Sequence, residues 1–225
     1  MKQKIILIFI LVHSLGFSQK DYSNLDEITT RLEALDKDPN ADLSTLTTTE
    51  GGEDIYVLKI GKGDLNNKPA IAVLGGVEGF HLVGVELALQ FAENLLSDRQ
   101  AAINKTTFYV FPNMSPDAYA QYHSKIKYER RGNASDIDHD RDGRLNEDPY
   151  EDLNKDGLIT QIRIKSPLGK YQMHSEDPRL LIKADSVSAK TTRYQLYSEG
   201  IDNDKDGHFN EDLKEGVAFN KSLTY

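Results

Sequence analysis

The pattern of apolar and polar positions along the first half of the chain predicts alternating helices and strands. Apolar residues recur at helical spacing over residues 23–35 and 85–97, which predicts two amphipathic helices. Residues 54–60 alternate between apolar and polar side chains, as in a strand with one exposed face. Residues 70–74 are all apolar, which predicts a buried strand, and residues 106–111 predict a further strand.

The order of these elements favours one fold class. A strand, a helix and a second strand follow one another with a crossover of the length that parallel strands require. Helices cover the faces of a sheet that is built in this way. The sequence therefore predicts an α/β fold, a three-layer sandwich around a mixed and partly parallel sheet.

The first eighteen residues have the composition of a secretory signal peptide. Two lysines precede eight apolar residues at positions 5–12, and the small residues Gly16 and Ser18 follow. The alternative is a membrane anchor, but a span needs roughly 20 apolar residues. We therefore predict a signal peptide over residues 1–18 and a secreted or periplasmic protein, with no membrane span after the signal is removed.

The composition limits the class of protein and the ligands that it can offer to a metal. With 225 residues, 38% of them hydrophobic and 28% charged, the chain is neither a collagen, nor a disordered polyelectrolyte, nor a membrane protein with several spans. It contains no cysteine, which excludes disulfides, thiolate zinc sites and a thiol nucleophile. A metal must therefore be held by oxygen atoms or imidazole nitrogens.

Negative charge is concentrated in two segments. Of the net charge of −9, residues 136–157 contribute −6 and residues 202–212 contribute −4, so the rest of the chain is close to neutral. The sequence has no basic patch, and a nucleic-acid partner is not expected.

The acidic segments contain an internal repeat. Each copy places oxygen-bearing side chains at its first, third and fifth positions and glycine at its sixth, an arrangement that wraps ligands around a hard cation such as calcium. The predicted calcium ligands are Asp138, Asp140 and Asp142 in the first copy, Asp152, Asn154 and Asp156 in the second, and Asp202, Asp204 and Asp206 in the third.

All three copies lack the acid that EF-hand calcium loops carry at the twelfth position, where Pro149, Arg163 and Leu213 stand. They resemble instead the calcium loops of dockerins and thrombospondin-type repeats, in which other acids complete the shell. The alternative is a set of solvated acidic loops, although three related copies favour calcium. The acids available to complete the shell are Glu147, Asp148, Glu151, Glu211 and Asp212.

Three segments carry a resemblance to a known family, and they occur in that family's order. Residues 75–86 are GGVEGFHLVGVE, residues 111–119 are FPNMSPDAY, and residues 216–221 are GVAFNK. Together they resemble the zinc metallocarboxypeptidases of the carboxypeptidase A/B type. The resemblance implies an incomplete carboxypeptidase-like fold over residues 19–225, with the calcium loops as an irregular insertion at about residues 133–213.

The resemblance implies two zinc ligands, whose order in the chain is exchanged. The family has histidine first and glutamate three positions later, whereas this sequence has Glu78 first and His81 second. Zinc accepts both imidazole nitrogen and carboxylate oxygen, so the exchange preserves the ligand types. The alternative is that His81 caps or packs beside the start of the helix, and that Glu78 is a solvated loop acid.

The resemblance also implies substrate contacts. Arg131, or its neighbour Arg130, matches the arginine that stabilises the oxyanion, unless both only balance the charge of the acidic insertion. Asn220 and Lys221 match the asparagine–arginine pair that binds the terminal carboxylate of a peptide, unless Lys221 belongs to a frayed tail. Lysine keeps the charge but lacks the planar fork of arginine, which predicts looser recognition.

In the family, a third zinc-binding histidine and a general-base glutamate lie downstream of this pair, and neither lies downstream here. Metal-assisted hydrolysis needs a fixed metal and a proton acceptor, so the chain as given is expected to be inactive. The other histidines offer no substitute: His139 and His208 lie in the acidic loops, and His123 and His174 are isolated.

Two interpretations follow. The first is an exported zinc-dependent metallocarboxypeptidase that hydrolyses C-terminal peptide bonds of peptides or proteins, in a truncated form that lacks the third ligand and the base. The second is a non-catalytic, calcium-binding secreted module derived from the same fold.

Overall fold

The computed structural model describes residues 22–138, 140–184, 191–210 and 216–222. The predicted signal peptide, His139, Glu211 and Asp212 lie outside the described residues. None of the described helices is long and apolar enough to cross a membrane.

The helices are α1 (Leu25–Leu35), α2 (Leu82–Asp98), α3 (Gln100–Lys105), α4 (Pro116–His123) and α5 (Phe219–Ser222). The strands are β1 (Ala41–Thr48), β2 (Asp54–Ile60), β3 (Ala70–Leu74), β4 (Thr107–Phe111), β5 (Gln161–Lys165), β6 (Tyr171–Met173), β7 (Leu181–Lys183) and β8 (Tyr194–Ser198).

Helix α1 begins at a capping box. The Asn24 side chain accepts a hydrogen bond from the Glu27 backbone nitrogen, and the Glu27 carboxylate accepts one from the Asn24 nitrogen, both at 2.9 Å. Arg31 of α1 forms ion pairs with Glu86 and Glu93 of α2. These contacts hold the two helices side by side.

The predicted mixed sheet is confirmed. Its strand order is β1-β2-β4-β3, in which β3 and β4 are parallel and the other neighbours are antiparallel. Helices α1 and α2 cover its apolar core, where Leu58, Ile60 and Val110 of the strands and Val85 and Leu89 of α2 are fully buried. Because β3 and β4 are parallel, both end at the same edge of the sheet.

Strand β3 differs from its prediction. Its apolar sequence predicts a buried strand, and this is wrong, because Ile71 is 47% exposed and Leu74 is 46% exposed. β3 lies at the end of the strand order and pairs only with β4 among the described residues. Burial of a strand requires neighbours on both of its faces, and a local run of apolar residues does not supply them.

The insertion contains regular structure that we did not expect from its sequence. Strands β5 to β8 form an antiparallel sheet in the order β5-β8-β6-β7, where the acidic repeats predict only irregular loops. These strands have three to five residues each, and every residue of β5 is exposed. Such short and exposed strands carry little periodic signal, and their pairing defines the sheet.

Candidate functional site

The candidate site lies at the edge of the first sheet, directly after β3. A Cβ atom on Gly75 would lie 2.7 Å from the Gly84 carbonyl oxygen, and Gly76 has a positive φ of 57°. Glycine fits this close approach and this backbone conformation without strain. The two glycines therefore allow the chain to turn sharply from β3 into the loop that precedes α2.

Glu78 and His81 converge in this loop. The Glu78 Oε2 and His81 Nδ1 atoms are 2.8 Å apart, and a turn joins the two residues, since the His81 nitrogen donates to the Glu78 carbonyl oxygen at 2.9 Å. His81 stands at the N-cap of α2, but its side chain makes no capping hydrogen bond. The His81 side chain therefore does not cap α2 through a hydrogen bond. With side chains 32% and 65% exposed, Glu78 and His81 are both accessible to a ligand.

Asn220 reaches the same carboxylate from the far end of the chain. Its Nδ2 atom donates to Glu78 Oε1 at 2.6 Å. The segment before α5 is fixed by two hydrogen bonds with Asn133, from the Asn133 nitrogen to the Val217 oxygen at 2.8 Å and from the Val217 nitrogen to Asn133 Oδ1 at 3.0 Å. Lys221 follows Asn220 and is exposed. The structure thus brings Glu78, His81 and Asn220 together.

Arg131 approaches this group through Phe80. Its guanidinium carbon lies 5.6 Å from the centre of the Phe80 ring, within cation–π range. The Phe80 ring in turn meets the His81 imidazole edge to face, with 4.2 Å between centroids. The Arg131 Nε atom donates to Glu129 Oε1 at 2.9 Å, and its terminal nitrogen pairs with the same carboxylate. Arg131 therefore lies near the site. Two of its guanidinium nitrogens already bind the Glu129 carboxylate.

The donor set at this site fits part of a catalytic zinc centre. An imidazole nitrogen and a carboxylate oxygen are both ordinary zinc ligands, and here they are already in contact. Catalytic zinc sites usually have three protein ligands. Across the described ranges, the groups of three or more potential ligands lie in the acidic loops, and none includes Glu78 or His81. Among the described residues, this site therefore brings together two candidate zinc ligands.

The three acidic loops share one backbone conformation. In each loop the glycine nitrogen donates to the first aspartate at 2.9 to 3.1 Å, and the glycine has a φ between 83° and 96°. The fourth residues, Arg141, Lys155 and Lys205, all have positive φ as well. The sequence repeat is therefore also a structural repeat. In each copy the carboxylate of the first aspartate accepts a hydrogen bond from the glycine nitrogen.

The first and third loops lie against each other, which the sequence does not predict. Ligand oxygens of Asp140, Asp204 and Asp206 lie within 4.8 Å of one another, as do those of Asp138, Asp140 and Asp142. Asp140 therefore belongs to both groups. The second loop has Asn154 at its third position and so offers two carboxylates and one amide oxygen.

The acids that could complete the loops have different environments. Both Glu147 carboxylate oxygens are buried, and Oε1 lies 3.5 Å from the Arg144 guanidinium. Burial and the negative charge of Asp142 raise the Glu147 pKa, Arg144 opposes this shift, and Asp204 adds to it. Asp148 is fully buried and already accepts hydrogen bonds from two nitrogens of Asn203 and from the Asn210 nitrogen. Glu147 is thus better suited to a cation than Asp148.

Two buried acids with structural roles were not predicted from the sequence. The Glu199 carboxylate accepts hydrogen bonds from the Leu153, Asn154 and Thr160 nitrogens and fixes the second loop. The Asp117 carboxylate binds the Thr49 hydroxyl at 2.7 Å and the Ala134 nitrogen. Each joins segments that are distant in sequence, and the residue type alone carries no signal of such a contact.

Comparison with known proteins identifies the family. The family model described as zinc carboxypeptidase matches residues 28–177. This chain belongs to the zinc carboxypeptidase family, which confirms the resemblance of its motifs. Carboxypeptidase D of Drosophila melanogaster is 29% identical over 164 residues, which cover 66% of this chain and 11% of that protein.

Solved structures of carboxypeptidases also match part of the chain. Bovine thrombin-activatable fibrinolysis inhibitor, in complex with tick carboxypeptidase inhibitor, is 18% identical with a TM-score of 0.47, over 57% of this chain and 42% of that chain. Carboxypeptidase A from Helicoverpa armigera is 19% identical with a TM-score of 0.44, over 46% of this chain and 27% of that chain. The present chain therefore spans less than half the length of these proteins.

Proposed function

We propose that this chain is part of an exported, zinc-dependent carboxypeptidase that hydrolyses the C-terminal peptide bond of peptides or proteins. The convergence of Glu78, His81 and Asn220 at the edge of the sheet carries the proposal, together with membership of the zinc carboxypeptidase family. The apolar segment near the start of the sequence supports export. We propose that the third ligand and the general base lie in a portion of the protein outside this chain, which covers 11% of its relative carboxypeptidase D.

The residues have distinct roles in this reaction. Glu78 and His81 would hold zinc, which when bound polarises the scissile carbonyl and lowers the pKa of a water molecule. Asn220 uses one amide hydrogen on Glu78 and has a second with which to bind a terminal carboxylate. Lys221 adds a positive charge beside it. Arg131 would leave Glu129, bind the substrate and stabilise the negative charge that develops on the carbonyl oxygen.

Equilibrium dialysis of the full chain against zinc tests the metal site. We expect bound zinc to be lost in Glu78→Ala and in His81→Ala, because each removes one of the two ligands. His174→Ala is the matched control, since His174 lies outside the site, and it should bind zinc like the original protein. Zinc binding that survives in both Glu78→Ala and His81→Ala, or that is lost equally in the control, would contradict the assignment of these two ligands.

Binding of a peptide with a free C-terminal carboxylate tests the substrate class. We expect this peptide to bind more tightly than the same peptide with a C-terminal amide, and Lys221→Ala to remove the difference. Lys105→Ala, in another exposed helix end, is the control. Equal binding of the two peptides would overturn the assignment of Asn220 and Lys221.

We also propose that the acidic loops bind calcium, independently of catalysis. The shared conformation of the three loops and the convergence of Asp140, Asp204 and Asp206 favour this second function. Calorimetric titration at millimolar calcium should detect binding that Asp140→Asn weakens and that Asp98→Asn, on the exposed end of α2, leaves unchanged. Calcium binding without zinc binding would favour a non-catalytic, calcium-binding module. If the protein takes up no calcium, the acidic loops are solvated loops and the calcium proposal is wrong.

A further inference from the structure

The segment that leads to Asn220 is attached to the residues just before the first acidic loop. Three hydrogen bonds join the two stretches of chain. The Asn133 nitrogen donates to the Val217 oxygen at 2.8 Å, and the Val217 nitrogen donates to Asn133 Oδ1 at 3.0 Å. The Gly216 nitrogen donates to the Ser135 oxygen at 3.0 Å. Both ends of the stretch that contains the acidic loops are therefore held together at this point.

The residues around Asn133 are themselves fixed to the core of the protein. The Ala134 nitrogen donates to Asp117 Oδ2 at 2.9 Å, and Asp117, in the first turn of α4, is only 4% exposed. Its other carboxylate oxygen accepts from the Thr49 hydroxyl at 2.7 Å. The Asn133 side chain is also held locally, since its Oδ1 atom accepts from the Ser135 nitrogen at 3.1 Å. Asn133 is therefore a fixed point to which the segment before α5 is attached.

Packing alone does not fix this segment. Val217 is 47% exposed, and together with Phe219 it lines a hollow of about 160 Å³ that Ile55 and Met114 also line. Side chains that border an open space lose the close contacts that a filled space would give them. The position of the segment therefore depends on its hydrogen bonds with Asn133.

The position of the segment in turn determines the contact of Asn220 with Glu78. Asn220 follows Val217 by three positions and lies in α5, and its Nδ2 atom donates to Glu78 Oε1 at 2.6 Å. Hydrogen bonds weaken steeply when the donor moves out of line with its acceptor. A segment that is displaced from Asn133 would therefore lose its contact with Glu78.

We propose that Asn133 is a positioning residue for the zinc site, because it holds the segment before α5 and thereby places Asn220 against Glu78. This inference rests on the proposed function, in which Glu78 is a zinc ligand. Partners that orient a metal ligand typically raise metal affinity about 10- to 100-fold. Asn133 acts through Asn220, so the loss of Asn133 should affect zinc binding no more than the loss of Asn220 does.

The side-chain amide signal of Asn220, recorded by NMR on the full chain without zinc, tests the contact directly. We expect the bond to Glu78 to slow hydrogen exchange of this amide, and Asn133→Ala to remove that protection. Asn133→Asp should retain it, because a carboxylate oxygen accepts from the same two backbone nitrogens. Asn24→Ala, which removes the cap of α1, is the control for a general loss of stability and should leave the signal unchanged. An unchanged signal in Asn133→Ala, or equal loss in Asn133→Asp, would overturn the proposal.

Zinc affinity tests the consequence of this contact. Asn133→Ala should lower the affinity about fivefold, less than the roughly tenfold loss expected for Asn220→Ala. The double variant should bind zinc like Asn220→Ala alone, because Asn133 acts through Asn220. Losses that multiply in the double variant would show that Asn133 acts by another route, and would overturn the proposal. The amide signal is measured without zinc, so its result separates a failure of this proposal from a failure of the proposed zinc site.

Discussion

Asn220 donates a hydrogen bond of 2.6 Å to Glu78, although 142 positions separate the two residues. The Glu78 carboxylate is thereby held on both oxygens, by Asn220 at Oε1 and by His81 at Oε2. A residue expected to bind substrate thus also orients a residue expected to bind metal. Such partners of a metal ligand fix its orientation and strengthen binding.

The first prediction concerns this contact. Asn220→Ala should lower the zinc affinity of the full chain roughly tenfold, because Glu78 loses the partner that orients it. A competition titration with a zinc-sensitive dye measures the change. Lys221→Ala removes the neighbouring exposed side chain and should leave zinc affinity unaltered. If both variants bind zinc like the original chain, Asn220 does not position Glu78.

The second prediction concerns the link between the first and third loops. Asp148→Ala should lower the free energy of unfolding by about 2 kcal/mol, because it leaves the buried Asn210 nitrogen without an acceptor and removes the link to Asn203. Urea denaturation measures this change. Glu176→Ala removes an exposed acid and should change stability by no more than about 0.5 kcal/mol. Equal losses in the two variants would show that the buried contact is unimportant.

The third prediction concerns pH. Burial alone would raise the pKa of Glu86, but hydrogen bonds from Ser23 and Arg31 outweigh it and lower the pKa below its ordinary value of 4.5. A lowered pKa in the folded state gives stability that is present above the unfolded pKa and is lost as pH falls through the folded value.

Glu86→Gln should therefore be less stable than the original protein by about 1 kcal/mol at neutral pH. The difference should shrink as pH falls below 4.5, where Glu86 itself becomes protonated. Urea denaturation between pH 7 and about pH 3 measures it. Glu50→Gln, at an exposed turn, is the control with no expected difference. A difference that stays constant over this range would contradict the ion pair as its source.

The fourth prediction concerns the packing of the loop that carries Glu78. A Cβ atom on Gly79 would lie 2.8 Å from the Ala118 carbonyl carbon and from the Tyr119 nitrogen. Gly79→Ala should therefore destabilise the protein by about 2 kcal/mol, because α4 must move. Gly84→Ala is the control, since its added atom has no neighbour closer than 3.4 Å and alanine favours helix. Thermal unfolding should separate the two variants.

Local patterns in the sequence determine much of this protein. Helices α1 and α2 and strand β2 follow from the spacing of their apolar residues, and the capping box at Asn24 sets the start of α1. The three acidic loops are equally local, because each glycine nitrogen bonds to an aspartate five positions earlier. The zinc carboxypeptidase family is also evident from short motifs, which the family match over residues 28–177 confirms.

Tertiary structure alone decides where these pieces meet. The edge position of β3, the contact of Asn220 with Glu78 and the approach of Asp140 to Asp204 all join parts of the chain that no periodic pattern relates. The same holds for a cavity of about 400 Å³ that residues of α1, of β2 and of the segment 112–116 line together. Periodicity reports only which side of an element is apolar, whereas the partner of that side is selected by packing of the whole chain.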